Sequence, residues 1–256
     1  MADIFFCEIT DNTLLIDGVH SITVSEKKLA KGLKAGQFLH IKCGHSRILR
    51  RPISICDIND DKITFVFEIK GEGTKWLARR KTGQKLNILG PLGNGYEIPG
   101  ENILIVGGGL GTPPMLYAAK SAKQKATAIL GFRDKSRIIL KEEFKAVCDE
   151  VYITTDDGSD GISGSVTKPL EMLLKTGEYK TVLSCGQLLM QKAVADMCKK
   201  FNVKSQVSLE ERMGCGVGAC LVCACATKDK NNEANMSRVC IDGPVFNAAD
   251  VIWKEI

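Results

Sequence analysis

The stretch Ile103-Leu104-Ile105-Val106-Gly107-Gly108-Gly109-Leu110-Gly111-Thr112-Pro113-Pro114 decides how the middle of this 256-residue chain folds. Four apolar residues in a row suit a strand buried on both faces of a parallel sheet. Glycines follow, and then prolines, which favour the first turn of a helix. The stretch therefore reads as strand, tight turn and helix. The pattern recurs downstream, where expected strands at Ala126–Gly131, Glu150–Thr154, Thr181–Ser184 and Lys204–Ser208 alternate with expected helices at Pro114–Lys123, Lys141–Cys148, Lys168–Leu174 and Leu188–Phe201. Such alternation predicts a doubly wound α/β unit, assigned to residues 99–208.

On the N-terminal side the texture is different. Ser21–Ser25, Gln37–Cys43, Lys62–Ile69 and Lys85–Ile88 are β-rich and bounded by turn residues. Short strands at that spacing predict a small antiparallel barrel over residues 1–98. One helix is expected inside it at Lys75–Arg80, capped by Thr74. Beyond residue 208 periodicity fades. Residues 209–256 are rich in Cys and Gly and too poor in large side chains for a strong core, so a third small domain needs a staple. The whole is an α+β multidomain chain.

Bulk properties narrow the function. Hydrophobic residues make up 44% and charged residues 25%, which is ordinary for a globular protein. The net charge of +5 is spread along the chain, with no basic run and only four Tyr and two Trp, so a nucleic-acid role is not expected. The start of the chain lacks the pattern of a secretion signal. No apolar run approaches the roughly 20 residues of a membrane span. A cytoplasmic location without membrane contact is the expectation. Of the 11 cysteines, five fall between Cys215 and Cys240, and in a reducing compartment such clusters bind metal or do redox work.

Cys215-x4-Cys220-x2-Cys223, with Cys240 sixteen residues further on, has the plant-ferredoxin spacing for a 2Fe–2S cluster. Two bridged irons need four thiolates converging on a small rhomb. Three come from one tight loop, in which Gly214, Gly216, Gly218 and Ala219 leave room for the backbone to curl. Its amides can then reach the sulfurs. Cys225 falls outside this arithmetic. A four-cysteine zinc site is the alternative, but zinc sites usually come as two C-x2-C knuckles. The remaining cysteines read as small core residues.

The glycine turn after Val106 lets a dinucleotide pyrophosphate approach the backbone. Two further strand ends fit the same nucleotide. Asp156 and Asp157 follow a strand, and carboxylates there suit ribose hydroxyls and repel a 2′-phosphate, which favours NAD over NADP. Cys185 and Gly186 end another strand, where packing of the sheet is one reading of Cys185. In the barrel half, Arg51-Pro52-Ile53-Ser54 resembles the R-x-Y-S flavin motif of the ferredoxin–NADP reductase superfamily, and Gly109, Gly111 and Pro114 match that superfamily's G-x-G-x-x-P turn, which begins beside Gly107. The resemblance implies FAD. Arg51 would meet its pyrophosphate, the backbone from Pro52 and the side chain of Ile53 would cover the isoalloxazine, and Ser54 would bond near the flavin N5. Gly73 and Thr74 would cap the pyrophosphate. Relatives often carry an Arg in the strand before that turn. Here Phe67, Glu68 and Ile69 stand in it, so Lys70 or Arg51 is left to supply the charge. The resemblance also implies a place for Cys185 and Gly186 beside the nicotinamide, which is the other reading of Cys185.

The tail from Glu210 to Cys223, with Val239-Cys240 and Asp242-Gly243-Pro244-Val245-Phe246, is similar to the electron-transfer subunits of NAD-dependent (class 1B) dihydroorotate dehydrogenases. Related subunits of sulfide dehydrogenases and of NADH-dependent ferredoxin–NADP oxidoreductases tend toward a different cluster loop. What the resemblance implies is an oxidoreductase subunit of pyrimidine synthesis. Electrons would come from an FMN-containing catalytic subunit that oxidises dihydroorotate. They would pass through the 2Fe–2S cluster and FAD to NAD as exchangeable substrate, in a two-plus-two heterotetramer. The alternative is a related flavin and iron–sulfur reductase with another partner. No catalytic side chain is expected beyond the cofactors, and His20, His40 and His45 are read as structural or surface residues. Replacing Cys220 by Ser is expected to abolish iron binding, whereas Cys225→Ser leaves iron content unchanged; iron analysis of both variants tests the ligand set.

Overall fold

The computed structural model describes residues 2–44, 48–100 and 102–253. Its first half is a closed six-stranded antiparallel barrel. The chain runs through β1 (Asp3–Ile16), β2 (Val19–Ser25), the short helix α1 (Lys27–Gly32), β3 (Phe38–Ile41), β4 (Arg51–Asn59), β5 (Lys62–Glu68), α2 (Glu72–Ala78) and β6 (Lys85–Leu92). The strand order around the barrel is β1-β2-β5-β4-β3-β6. Alternation along each strand turns one set of side chains inward, and Ile9, Ile22, Leu39, Ile55, Phe65 and Ile88 fill the interior.

Two expectations for this half are corrected. The helix begins at Glu72 and ends at Ala78, and its N-cap is Gly71, not Thr74. Thr74 sits three residues into the helix, and its Oγ1 accepts from the amides of Lys70 (2.9 Å) and Gly71 (3.2 Å). It satisfies the free donors at the helix start from inside the first turn.

The second half continues with β7 (Ile103–Gly108), α3 (Thr112–Lys120), β8 (Thr127–Phe132), α4 (Lys141–Val147), β9 (Glu150–Thr155), β10 (Ile162–Ser163), α5 (Thr167–Leu174), β11 (Thr181–Cys185), α6 (Leu188–Lys200) and β12 (Lys204–Ser208). The four helices lie where expected, although α3 starts two residues early and stops at Lys120. The tail adds a hairpin of β13 (Ala224–Lys228) and β14 (Ala234–Arg238), and then β15 (Val245–Asn247). The larger sheet has the order β10-β9-β8-β7-β11-β12-β15. All its pairings are parallel except β12 with β15. The order reverses between β7 and β11, and the carboxyl ends of strands at such a reversal open a crevice.

The two halves are packed together. Helix α3 lies on β4. The Tyr96 hydroxyl donates to the Ser184 carbonyl at 2.8 Å, Lys120 pairs with Asp57 at 2.6 Å and Arg137 with Glu68 at 2.5 Å. No helix among the described residues is long and apolar enough to cross a membrane.

The turn after β7 depends on close approach. A Cβ at Gly111 would stand 2.3 Å from the Cys185 carbonyl oxygen, and one at Gly107 would stand 2.9 Å from the Cα of Thr112. Backbone cannot yield as a flexible side chain does, so Gly111→Ala is expected to cost about 1–3 kcal/mol of stability, a typical overpacking penalty. A urea-unfolding curve checks this, and an unchanged midpoint would contradict it.

Candidate functional site

Three sites lie side by side: a loop of thiols, a mostly apolar cavity and a glycine-lined cavity. In the loop, Gly216 (φ +75°) and Gly218 (φ +80°) take left-handed backbone, which glycine adopts without a Cβ penalty. Leu221 takes it too, at φ +59°, a conformation that costs an L side chain roughly 1–2 kcal/mol. The resulting curl aims amides at sulfur. The N–H groups of Val217 and Ala219 donate to Cys215 Sγ at 3.4 and 3.3 Å. That of Cys215 donates to Cys220 Sγ at 3.3 Å, and that of Gly218 to Cys240 Sγ at 3.2 Å.

These donors have an electrostatic effect. Burial pushes the Cys215 thiol up, but the amides of Val217, Cys220 and Ala219 outweigh it and bring the thiol down to about 6. A thiolate is the form that binds metal. Cys225, buried in β13, is pushed up to about 11, first by burial and then by the charge of Glu211. It stays protonated at neutral pH.

Cys215 lies close to Cys220, and Cys240 close to both Cys223 and Cys215. Four thiols gathered by one loop and one distant cysteine are the donor set that two bridged irons need. The amide donors match the negative charge such a centre carries.

The apolar cavity, of about 450 Å³, lies between the barrel, the sheet and the tail. This size falls within the usual range for a bound cofactor. Of the residues singled out in the sequence, Arg51, Pro52, Ile53, Ser54, Phe67, Glu68, Thr74, Pro114 and Cys185 line it. Phe38, Val66 and Leu110 add apolar wall, while Met213, Val239 and Pro244 bring the thiol-bearing segment to its edge. Gly73 lies behind Arg51, and a Cβ there would come 2.8 Å from the guanidinium Nε. Ile69 is outside the lining, and its amide donates to Gly18 instead. Apolar walls with the Arg51 guanidinium among the lining residues fit the ring and the pyrophosphate of a flavin dinucleotide.

The second cavity, of about 660 Å³, is lined by Gly109, Gly111, Asp156 and Gly186. Gly107 is not in its wall; it packs the strand against α3. Gly108, Arg133, Arg137, Met190 and Glu210 were not singled out in the sequence and also line it. Arg133 directly follows the end of β8, and that position was a readable signal. Glu68, Lys70, Leu110 and Glu210 belong to both cavities. Glu68 has a role that its sequence position hid, because it holds Arg137 across the two halves.

Cys185 is fully buried, and burial pushes its thiol up to about 12. His20 stacks on Phe67 at 5.9 Å with its Nδ1 3.1 Å from Asn12. His40 is buried in β3, and His45 lies outside the described residues.

Residues 210–252 match the model of the iron-sulfur cluster binding domain of dihydroorotate dehydrogenase B. The chain is 42% identical to the "Dihydroorotate dehydrogenase B (NAD(+)), electron transfer subunit" of Caldanaerobacter subterraneus subsp. tengcongensis, over 96% of this chain and 97% of that one. It is 41% identical to the protein of the same name from Clostridium perfringens, over 95% and 96%. Among solved structures, an NADH-dependent reduced ferredoxin–NADP oxidoreductase is similar with a TM-score of 0.85 and 29% identity, over 97% of this chain and 90% of that one. A ferredoxin reductase of carbazole 1,9a-dioxygenase shares the fold at a TM-score of 0.65 and 19% identity, over 79% and 67%. With the sulfur loop, the barrel and the parallel sheet all in place, this chain belongs to the family of the electron transfer subunit of NAD(+)-dependent dihydroorotate dehydrogenase B.

Proposed function

We propose that the chain carries electrons from a catalytic subunit that oxidises dihydroorotate to NAD+, in pyrimidine synthesis. The observation that carries this reading is spatial order. The thiol loop borders the apolar cavity, and the apolar cavity shares a wall with the glycine-lined one. When bound, NAD exchanges hydride, FAD converts between electron pairs and single electrons, and a 2Fe–2S cluster exchanges single electrons. The middle position therefore belongs to the flavin.

The chain's own residues divide the work. Cys215, Cys220, Cys223 and Cys240 hold the cluster, and the loop amides offset its charge. Arg51 takes the FAD pyrophosphate, with Gly73 leaving room behind it, while Ile53 and Phe67 cover the ring and Ser54 offers a hydroxyl at its edge. Gly109 and Gly111 receive the NAD pyrophosphate, and Asp156 accepts from ribose hydroxyls. Gly186 and the buried Cys185 sit where the two nucleotides meet. The division into residues 1–98 for FAD, 99–208 for NAD and 209–256 for the cluster follows the same lines.

The partner's place is supported by exposed apolar side chains around the loop. Val217, Leu221, Val222 and Met236 are all exposed, next to exposed Cys220. An apolar rim around a redox centre suits a protein surface that must come close and exclude water. The assembly we infer has two electron-transfer and two FMN-containing catalytic subunits, and a chain of eleven cysteines, four of them given to a cluster, suits the reducing cytoplasm.

A second reading, an NADH-linked reductase of a soluble iron–sulfur carrier, is favoured by the similarity to the ferredoxin–NADP oxidoreductase. One assay separates the two. Mixed with its FMN-containing partner, the chain is expected to reduce NAD+ when dihydroorotate is added. Ferredoxin reduction without dihydroorotate-dependent turnover would favour the second reading.

A further inference from the structure

Single-electron transfer needs a fixed gap between the flavin cavity and the thiol loop, and one buried side chain occupies that gap. His40 lies in β3 between Leu39 and Ile41, which point into the barrel core. Alternation turns its imidazole outward, to the same face as Phe38, a wall of the flavin cavity. Its cross-strand neighbour is Pro52 of the flavin strand. The ring is fully buried on this outer face, and the thiol loop is part of what covers it. A Cβ on Gly216 would stand 2.6 Å from His40 Nδ1, so the loop backbone lies directly on the imidazole edge.

The surroundings of the ring are polar on both sides. The carbonyl of Arg50 faces it from the barrel and that of Cys215 from the loop, yet neither ring nitrogen has a partner at hydrogen-bonding geometry. An imidazole has at least one N–H to give in either of its protonation states. A side chain that only filled space here would be apolar, because a buried polar atom without a partner is costly. Arg50 also fixes the strand that carries the ring, donating to the carbonyls of His40 (3.2 Å) and Asn87 (3.1 Å).

We propose that His40 is a positioning residue for electron transfer, whose Nδ1–H engages the Cys215 carbonyl and so sets the distance of the thiol loop from the flavin strand. This rests on the proposed function above, and adds to it the group that joins the barrel to the cluster segment.

The test uses the holo chain, prepared without air and carrying FAD and cluster, in three forms: wild type, His40→Phe and His40→Asn. Phe keeps the volume and removes the donor, whereas the Asn amide N–H falls near the position of Nδ1. Rapid mixing with NADH separates flavin reduction from the onward step to the cluster. Flavin reduction is expected at the wild-type rate in all three. The onward step should slow about tenfold or more in His40→Phe, the scale of loss that small misplacements produce, and recover substantially in His40→Asn. The electron paramagnetic resonance (EPR) spectrum of the reduced cluster should change in His40→Phe alone. Loss of the cluster from His40→Phe but not His40→Asn also supports the role. A wild-type onward rate with a wild-type spectrum in His40→Phe overturns it, as does equal slowing of both steps or loss of the cluster from both variants. Failure of the proposed function would look different: the wild-type chain itself would lack acid-labile sulfide.

Discussion

Four thiolates packed around two irons concentrate negative charge, and a protein can hold them only by surrounding them with donors. That constraint shapes the last fifth of the chain. The amides of Cys215, Val217, Gly218 and Ala219 all point at sulfur, and they can do so because residues 216 and 218 take positive φ. A loop bent this tightly buries little apolar surface of its own. It is held from below by Val207, Leu209, Val239 and Val251, and from the side by the barrel. The hairpin of β13 and β14 and the edge strand β15 are the means by which a segment with a weak core of its own becomes continuous with a strong sheet.

The same physics orders the three sites. A parallel sheet offers its nucleotide crevice where the strand order reverses, here between β7 and β11. The barrel packs through β4 on α3, the helix that opens from that crevice, so strand β4, with Arg51 to Ser54, faces the glycine turn across one cavity. Glu68 with Arg137 and Asp57 with Lys120 pin the two halves around it. Partly exposed ion pairs such as these contribute little stability by themselves; their value here is in fixing orientation. The tail then folds back onto the cavity, to which it contributes Met213, Val239 and Pro244.

Much of this was legible in the residues. The apolar run Ile103–Val106 announces a strand buried on both faces, and the cysteine spacing announces a binuclear centre, because both patterns are imposed by local geometry. Strand β1 was not read. Its sequence, DIFFCEITDNTLLI, has most side chains partly or fully exposed, so alternation is blurred and closure of the barrel decides its state. Strand β14 was missed for the same reason, being wholly polar except for Ala234 and Met236. The site shows the same limit. Arg51 and Asp156, which line the two cavities, and the four cysteines each belong to a local pattern that the sequence displays. Glu68 and His40 meet neighbours far away in sequence, and Glu210 lines both cavities, which only the packed structure brings together. Gly107 and Ile69 were drawn in by adjacency to the nucleotide turn and the flavin strand, but the first packs strand against helix and the second bonds to Gly18.

The most direct measurement is an anaerobic titration of the isolated holo chain with NADH, following flavin absorbance and the EPR signal of the cluster together. The expected result is a reduced-cluster signal that grows as the flavin bleaches, with no partner subunit present. A flavin that bleaches fully while the cluster stays oxidised would contradict the continuous circuit through this one polypeptide.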